Sequence, residues 1–235
     1  MSWSIWNVDG VSTKDGAYWY LYELTTSGSE VSSFASPSSS PSGVGIDQDG
    51  CIWQADDGVD KIYQITQSGS EVSSFAAPSY NPVGVGIDQD GCIWNADTLA
   101  HKIYQVTQSG SEVSSFASPS NNPEGVGVDQ DGCIWNANVN DDLIYQITRS
   151  GSEVSSFAAP SNNPKGLGID QDGCIWHSDD SAGIIYQITR SGSEVSSFAS
   201  PSATPFGVGV ESTFASDTGS TYTQMLDETV QGRKN

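Results

Sequence analysis

The sequence predicts an all-β protein, a β-propeller of four-stranded antiparallel blades, with five blades favoured. Three observations predict it: an ungapped 41-residue repeat, four strand-like runs in each repeat, and partial repeats at the two ends that add up to one more blade. The segment Ser-Gly-Ser-Glu-Val-Ser-Ser-Phe recurs with its glycine at Gly28, Gly69, Gly110, Gly151 and Gly192. A period of about 40 residues made of short β-rich runs is the size of a blade, and the long 3.6-residue periodicity of helical repeats is absent.

One unit, read from Gly84, supplies the elements in order. Strand A is 84–87, followed by the turn Asp88-Gln89-Asp90-Gly91, and strand B is 92–97. Strand C is 102–107, followed by the turn 108–111, and strand D is 112–116 before the proline-containing loop 117–123. Asp-Gly and Ser-Gly between β-branched and aromatic runs are hairpin punctuation, because glycine accepts the positive φ that the turn demands.

Strand A starts again at Gly43, Gly125, Gly166 and Gly207, and full B, C and D strands follow all but the last. The N-terminus holds the missing pieces, a B strand at 4–9, a C strand at 18–24 and a D strand at 30–34. The predicted domain therefore runs over 1–210: whole blades at 43–75, 84–116, 125–157 and 166–198, and a composite blade of 1–38 plus 207–210. Such closure joins the two ends of the ring. Residues 211–235 read as a degenerate tail. Because 213–217 and 221–226 echo strands B and C, an incomplete sixth blade is the alternative.

Eight Lys+Arg stand against 29 Asp+Glu in 235 residues, a formal net charge of -21 although only 16% of residues are charged. Nucleic acid and anionic membranes are excluded as partners, since both need clustered bases. No apolar run reaches the roughly 20 residues of a spanning helix, and the N-terminus has neither the basic start nor the apolar stretch of a leader. Cys51, Cys92, Cys133 and Cys174 occupy one equivalent site in four blades. Equivalent sites lie about a blade apart, too far for a disulfide, so these are free thiols; with the missing leader they point to a soluble, cytoplasmic protein.

Trp6, Trp53, Trp94, Trp135 and Trp176 repeat once per blade and are expected to pack between blades. Asp-Gln-Asp-Gly resembles the start of a calcium loop but lacks the twelfth-position glutamate and the flanking helices, so it reads as a turn. The only histidines, His101 and His177, read as loop residues. Zinc spacing, a phosphate-binding glycine loop and a nucleophile elbow are all missing. No cofactor is expected.

The differences between copies concentrate in two places, the B–C loops and the D–A loops. In an up-and-down blade these emerge on one face, while the A–B and C–D turns, which barely vary, lie on the other. One-sided variation is the pattern of a recognition surface on a rigid scaffold. The candidate binding residues are Asp57, Asp60, Thr98, His101, Asn140, Asp141 and Asp180 in B–C loops, and Tyr80, Glu124, Lys165 and Phe206 in D–A loops. Gln54, Asn95, Asn136 and His177 join them just beneath that face.

The run from Asn81 through Gly84-Val-Gly-Ile-Asp-Gln-Asp-Gly-Cys-Ile-Trp to Asp97, followed by Lys102-Ile-Tyr-Gln-Val-Thr and the Ser-Gly-Ser-Glu turn, resembles the blades of the virginiamycin B lyase family. It is more distantly similar to NHL and gluconolactonase-type propellers. The lyase resemblance implies metal-assisted elimination, with a histidine in the Pro-x-Gly that begins a strand A and an acid ending a strand B. The x positions here are Ser42, Val83, Glu124, Lys165 and Phe206, while acids end strand B at Asp56, Asp97 and Asp179. With no histidine at these positions, no catalytic residue and no metal ligand is assigned. The expectation is a non-enzymatic propeller that binds a protein, peptide or glycan; the alternatives are a metal-dependent lyase or hydrolase and a structural subunit of a larger assembly.

Overall fold

The computed structural model describes residues 3–13, 16–202 and 204–211. The N-terminal segment forms β1 (Ile5–Thr13), β2 (Gly16–Leu24) and β3 (Glu30–Ala35). The second blade is β4 (Pro41–Ile46), β5 (Ile52–Asp56), β6 (Lys61–Ile65) and β7 (Glu71–Ala76), and the third is β8 (Pro82–Ile87), β9 (Ile93–Asp97), β10 (Lys102–Val106) and β11 (Glu112–Ala117). The fourth is β12 (Pro123–Val128), β13 (Ile134–Asn138), β14 (Leu143–Ile147) and β15 (Glu153–Ala158). The fifth is β16 (Pro164–Ile169), β17 (Ile175–Asp179), β18 (Ile184–Ile188) and β19 (Glu194–Ala199), after which comes β20 (Pro205–Val210).

The predicted closure is present. β20 is the innermost strand of the N-terminal blade, in the order β20-β1-β2-β3, and pairs antiparallel with β1 so that Trp6 lies opposite Gly209. Among the described residues the five sheets make a five-bladed propeller. The expected echoes of a further blade at 213–226 lie outside the described residues.

Two boundaries differ from the sequence reading. Strand A begins at its proline rather than at the following glycine, with an irregularity in register between Pro41 and Val44; proline fits the first residue of an edge strand, where no ladder hydrogen bond is lost. The β1–β2 hairpin is also longer than its counterparts, nine residues in each strand against five in β5 and β6. Sixteen positions separate Trp6 from Tyr22 where ten separate Trp53 from Tyr63, so an insertion lengthens this hairpin on the side of the varied loops.

The core lies between blades, as expected of the tryptophans. Trp53, Ala55 and Ile62 form one cluster with Val85, Ile93, Tyr104 and Val106 of the next blade, and the four analogous clusters bridge the other junctions. The strand B tryptophans are at most 1% exposed, and truncation of such a side chain costs about 3–5 kcal/mol. Around the axis the innermost strands approach so closely that a Cβ on Gly84 would stand 2.1 Å from the carbonyl oxygen of Glu124. This contact explains the alternating glycines of strand A.

Candidate functional site

The B–C and D–A loops meet on one face and lock together. Asp60 Oδ1 accepts from the Asn81 amide at 2.9 Å, Asp142 Oδ1 from the Asn163 amide at 2.9 Å, and His101 Nδ1 from the Asn122 amide at 3.3 Å. All six residues have positive φ, between 53° and 72°, a conformation asparagine and aspartate adopt most readily among residues with a side chain. Asp60 and His101 thus act as joints between neighbouring loops.

At the centre of this face each blade contributes one residue to the channel mouth: Ser42, Val83, Glu124, Lys165 and Phe206. Lys165 Nζ lies 3.0 Å from Glu124 Oε1, and both side chains are less than one-fifth exposed, 17% and 13%. Burial pushes the Glu124 carboxyl up, against the opposing pull of Lys165, and Asp180 and Asp57 push it further. The Lys165 ammonium also stands 5.9 Å from the Phe206 ring, which Trp19 meets edge-on at 5.3 Å. Ser42 Oγ donates to the Pro82 carbonyl at 3.0 Å. Below the mouth remains a recess of about 10 Å³, room for roughly one water. A larger cavity of about 60 Å³ opens on the opposite face.

Gln54, Asn95, Asn136 and His177 form a ring of polar groups in the middle of the blades and are at most 1% exposed. Asn95 Nδ2 and Asn136 Nδ2 donate to the carbonyls of Gly84 and Gly125 at 2.8 and 2.9 Å. D–A loop serines donate to this ring: Ser36 to Gln54 at 2.9 Å, Ser118 to Asn136 at 3.3 Å, and Ser200 to Asn7 at 3.1 Å. Ala77 and Ala159 stand at the same place in the other two loops, and there Asn95 Oδ1 and His177 Nε2 are buried without a partner. His177 is therefore a strand residue of β17 and not a loop residue; it stacks on Tyr186 with ring centroids 5.0 Å apart. Its burial lowers its pKa to about 4.

The remaining candidates are mostly tied down within this face, by their own loop or by a neighbouring one. Asp57 accepts from Ser40 Oγ at 2.5 Å, Thr98 Oγ1 donates to the Pro123 carbonyl at 2.9 Å, and the Asn140 amide donates to Asn138 Oδ1 at 3.0 Å. Asp141 accepts from the Tyr145 hydroxyl at 2.6 Å, and burial together with this bond raises the Tyr145 pKa. Asp180 accepts from Asn163 Nδ2, and burial raises its carboxyl pKa. Tyr80 extends into solvent, 74% exposed, and Leu99 and Val59, which sequence reasoning passed over, are 69% and 49% exposed on neighbouring loops. Trp19 was also missed, although the insertion in the first B–C connection marks it.

The acids that end strand B work inward. Asp56 Oδ1 accepts from the amides of Gly58 and Val59 at 2.8 and 3.1 Å, and Asp179 Oδ1 from the Ala182 amide at 2.8 Å. Burial pushes the Asp97 carboxyl up while loop hydrogen bonds oppose it. No group of three or more His, Cys, Asp or Glu among the described residues is arranged to hold a metal ion. The metal implied by the family resemblance does not fit a mouth whose acid is already paired to Lys165.

A model of the Virginiamycin B lyase family matches residues 12–224. The chain is similar in structure to virginiamycin B lyase from Staphylococcus aureus, with 21% identity over 86% of this chain and 73% of that chain and a TM-score of 0.55. A catalytically inactive histidine-to-alanine form of the S. aureus lyase with Quinupristin gives 20% identity, 82% and 69% coverage, and a TM-score of 0.54. A protein of unknown function from Bacteroides caccae gives 15% identity, 83% and 73% coverage, and 0.54. No curated protein matches the chain. At these identities the structural likeness concerns the fold.

Proposed function

The chain belongs to the virginiamycin B lyase family, and from that premise we propose that it is a recognition propeller without catalytic activity, binding a protein, peptide or glycan on the face of the B–C and D–A loops. The observation that carries this reading is the channel mouth. There five blades place Ser42, Val83, Glu124, Lys165 and Phe206, and the one acid is neutralised by the one base at 3.0 Å. The one carboxylate at the mouth is already engaged by Lys165, and none of the five mouth positions holds a histidine to serve as general base. The loops around the mouth carry nearly all the differences between repeats on a backbone frame that does not change, which favours selection for contacts.

Peptide and glycan arrays probed with the labelled protein test the proposal. The wild-type chain is expected to retain a defined set of ligands, and a chain whose 98–101 and 80–83 loops are replaced by loops 139–142 and 121–124 is expected to lose or change that set. Identical profiles for the two chains would remove the proposal. So would turnover of Quinupristin by the purified protein, since the inactive S. aureus lyase structure contains that compound.

A further inference from the structure

The mouth residues of the five blades are chemically unlike. Glu124 and Lys165 stand side by side, and Phe206, Ser42 and Val83 complete the ring around the recess. Lys165 Nζ donates to Glu124 Oε1 at 3.0 Å, and among the described residues this is the only hydrogen bond of either side chain. An ammonium has three donors and a carboxylate two acceptor oxygens, so two N–H groups of Lys165 and Oε2 of Glu124 remain open. Both side chains are mostly buried, 17% and 13% exposed. Burial holds the pair in place and strengthens any further bond made to it.

Beside the pair stands an aromatic wall. The Phe206 ring lies 5.9 Å from Lys165 Nζ, and the Trp19 indole of the lengthened β2 meets it edge-on at 5.3 Å. The recess beneath holds roughly one water, so a ligand rests across the mouth and does not enter the channel.

These groups select a ligand class. A second cation that reached Oε2 would stand against the Lys165 ammonium, and an anion that reached Lys165 would stand against Glu124, so an ion gains at one group what it loses at the other. A trans peptide group presents its N–H and C=O on opposite sides and cannot meet an acceptor and a donor set side by side. A hydroxyl is both donor and acceptor. Two vicinal hydroxyls on a sugar ring stand about one hydrogen-bond length apart, the spacing of Glu124 and Lys165, and the C–H face of the same ring is apolar enough to lie on an aromatic side chain.

We propose that the channel mouth is a subsite for a neutral pyranose residue of a glycan. One of two vicinal hydroxyls donates to Glu124 Oε2, the other accepts from Lys165 Nζ, and the apolar face of the sugar lies against Phe206 and Trp19. This subsite rests on the recognition reading of the loop face and selects the glycan among its ligands.

Titration of the full chain with the methyl glycosides of glucose, mannose and galactose, followed by NMR shifts of the Val83 methyls and the Trp19 indole, tests it. At least one glycoside is expected to shift both residues, while N-acetylalanine N-methylamide and cyclohexylmethanol leave them unmoved. Lys165→Leu removes the donor and is expected to weaken that glycoside by about tenfold or more, the worth of one hydrogen bond to a charged group. Phe206→Leu keeps an apolar side chain without the ring and is expected to weaken it by about threefold or more. The subsite is overturned if no glycoside shifts Val83 and Trp19, if the diamide shifts them as strongly, or if either variant, shown to be folded by its thermal melt, binds like the wild type. A chain that retains peptides on the arrays but leaves all three glycosides unbound would overturn the glycan subsite and leave the recognition face standing.

Discussion

Trp94 Nε1 donates to Asp88 Oδ2 at 2.9 Å, six residues back along the chain and across the A–B turn. The other oxygen of Asp88 accepts from the amides of Asp90 and Cys92 at 3.0 and 2.9 Å. One carboxylate thereby closes the turn and satisfies the indole that fills the space between blades, and the arrangement repeats at Asp47, Asp129 and Asp170. The first aspartate of Asp-Gln-Asp-Gly is therefore structural, while the second is open to solvent, 72% exposed at Asp90.

The two acids should respond differently to removal. Asp88→Ala leaves an indole and two amides without their acceptor inside the protein and is expected to lower the unfolding free energy by roughly 2–4 kcal/mol. Asp90→Ala loses only an exposed pair with Arg149 and is expected to change it by less than about 1 kcal/mol. Urea unfolding of both variants checks this, and equal losses would show that the turn does not depend on the buried carboxylate.

Strand A glycines are a second weak point. A Cβ on Gly125 would lie 2.3 Å from the Lys165 carbonyl oxygen and 2.6 Å from the Leu167 amide nitrogen, both backbone atoms of the next blade. Neither can turn aside as a side chain does, so Gly125→Ala is expected to cost at least about 3 kcal/mol or to prevent closure. Gly91→Ala is a useful contrast. Its φ is 79° and the nearest atom is a glutamine side-chain nitrogen at 3.4 Å, so the cost there is expected to be nearer 1 kcal/mol. Thermal melting of the two variants separates crowding from backbone strain.

Much of this was legible in the chain because a repeat shows which positions vary. The spacing of Gly28, Gly69 and their successors predicted the blade, and the B, C and D runs before Gly43 predicted the composite blade that β20 completes. The candidate site was less legible. Its loop residues were identified by their variation, but variation does not distinguish a side chain that meets solvent from one that ties two loops, and the structure shows Asp60 in the second role and Tyr80 in the first. His177 was misread because a histidine in a varied position resembles a surface residue. Only its place in β17, opposite Tyr186 in the ladder, shows it to be inside.

The polar ring offers a stabilising substitution. Asn95 Oδ1 has no partner where Ala77 replaces the serine found in other loops. Ala77→Ser is expected to give that oxygen a donor, as Ser118 gives Asn136, and to raise the unfolding free energy by about 1 kcal/mol. The same gain is expected from Ala159→Ser above His177. The check is a higher urea midpoint at an unchanged slope, and a midpoint that stays put would mean that the acceptor is satisfied in another way.

His177 should make the fold sensitive to mild acid. Its pKa is lowered from 6.5 to about 4 because the imidazole is buried. Above the unfolded value the ring is neutral in both states and contributes no pH dependence. As the pH falls from 6.5 towards 4, the unfolded chain takes up a proton that the folded chain does not, so acidification favours unfolding. Below about 4 both states carry the proton and the loss is complete, on the order of 3 kcal/mol for a shift of this size. His177→Asn places at this position the residue that the third and fourth blades already use, and it removes the titration. Glu124, Asp97 and Asp180, whose carboxyls are pushed up by burial, are present in both proteins and cancel in the comparison. The difference in unfolding free energy between wild type and variant is therefore expected to be flat above pH 7 and to move against the wild type between pH 6.5 and 4. Parallel curves through that window would mean that the ring takes its proton inside the folded blade.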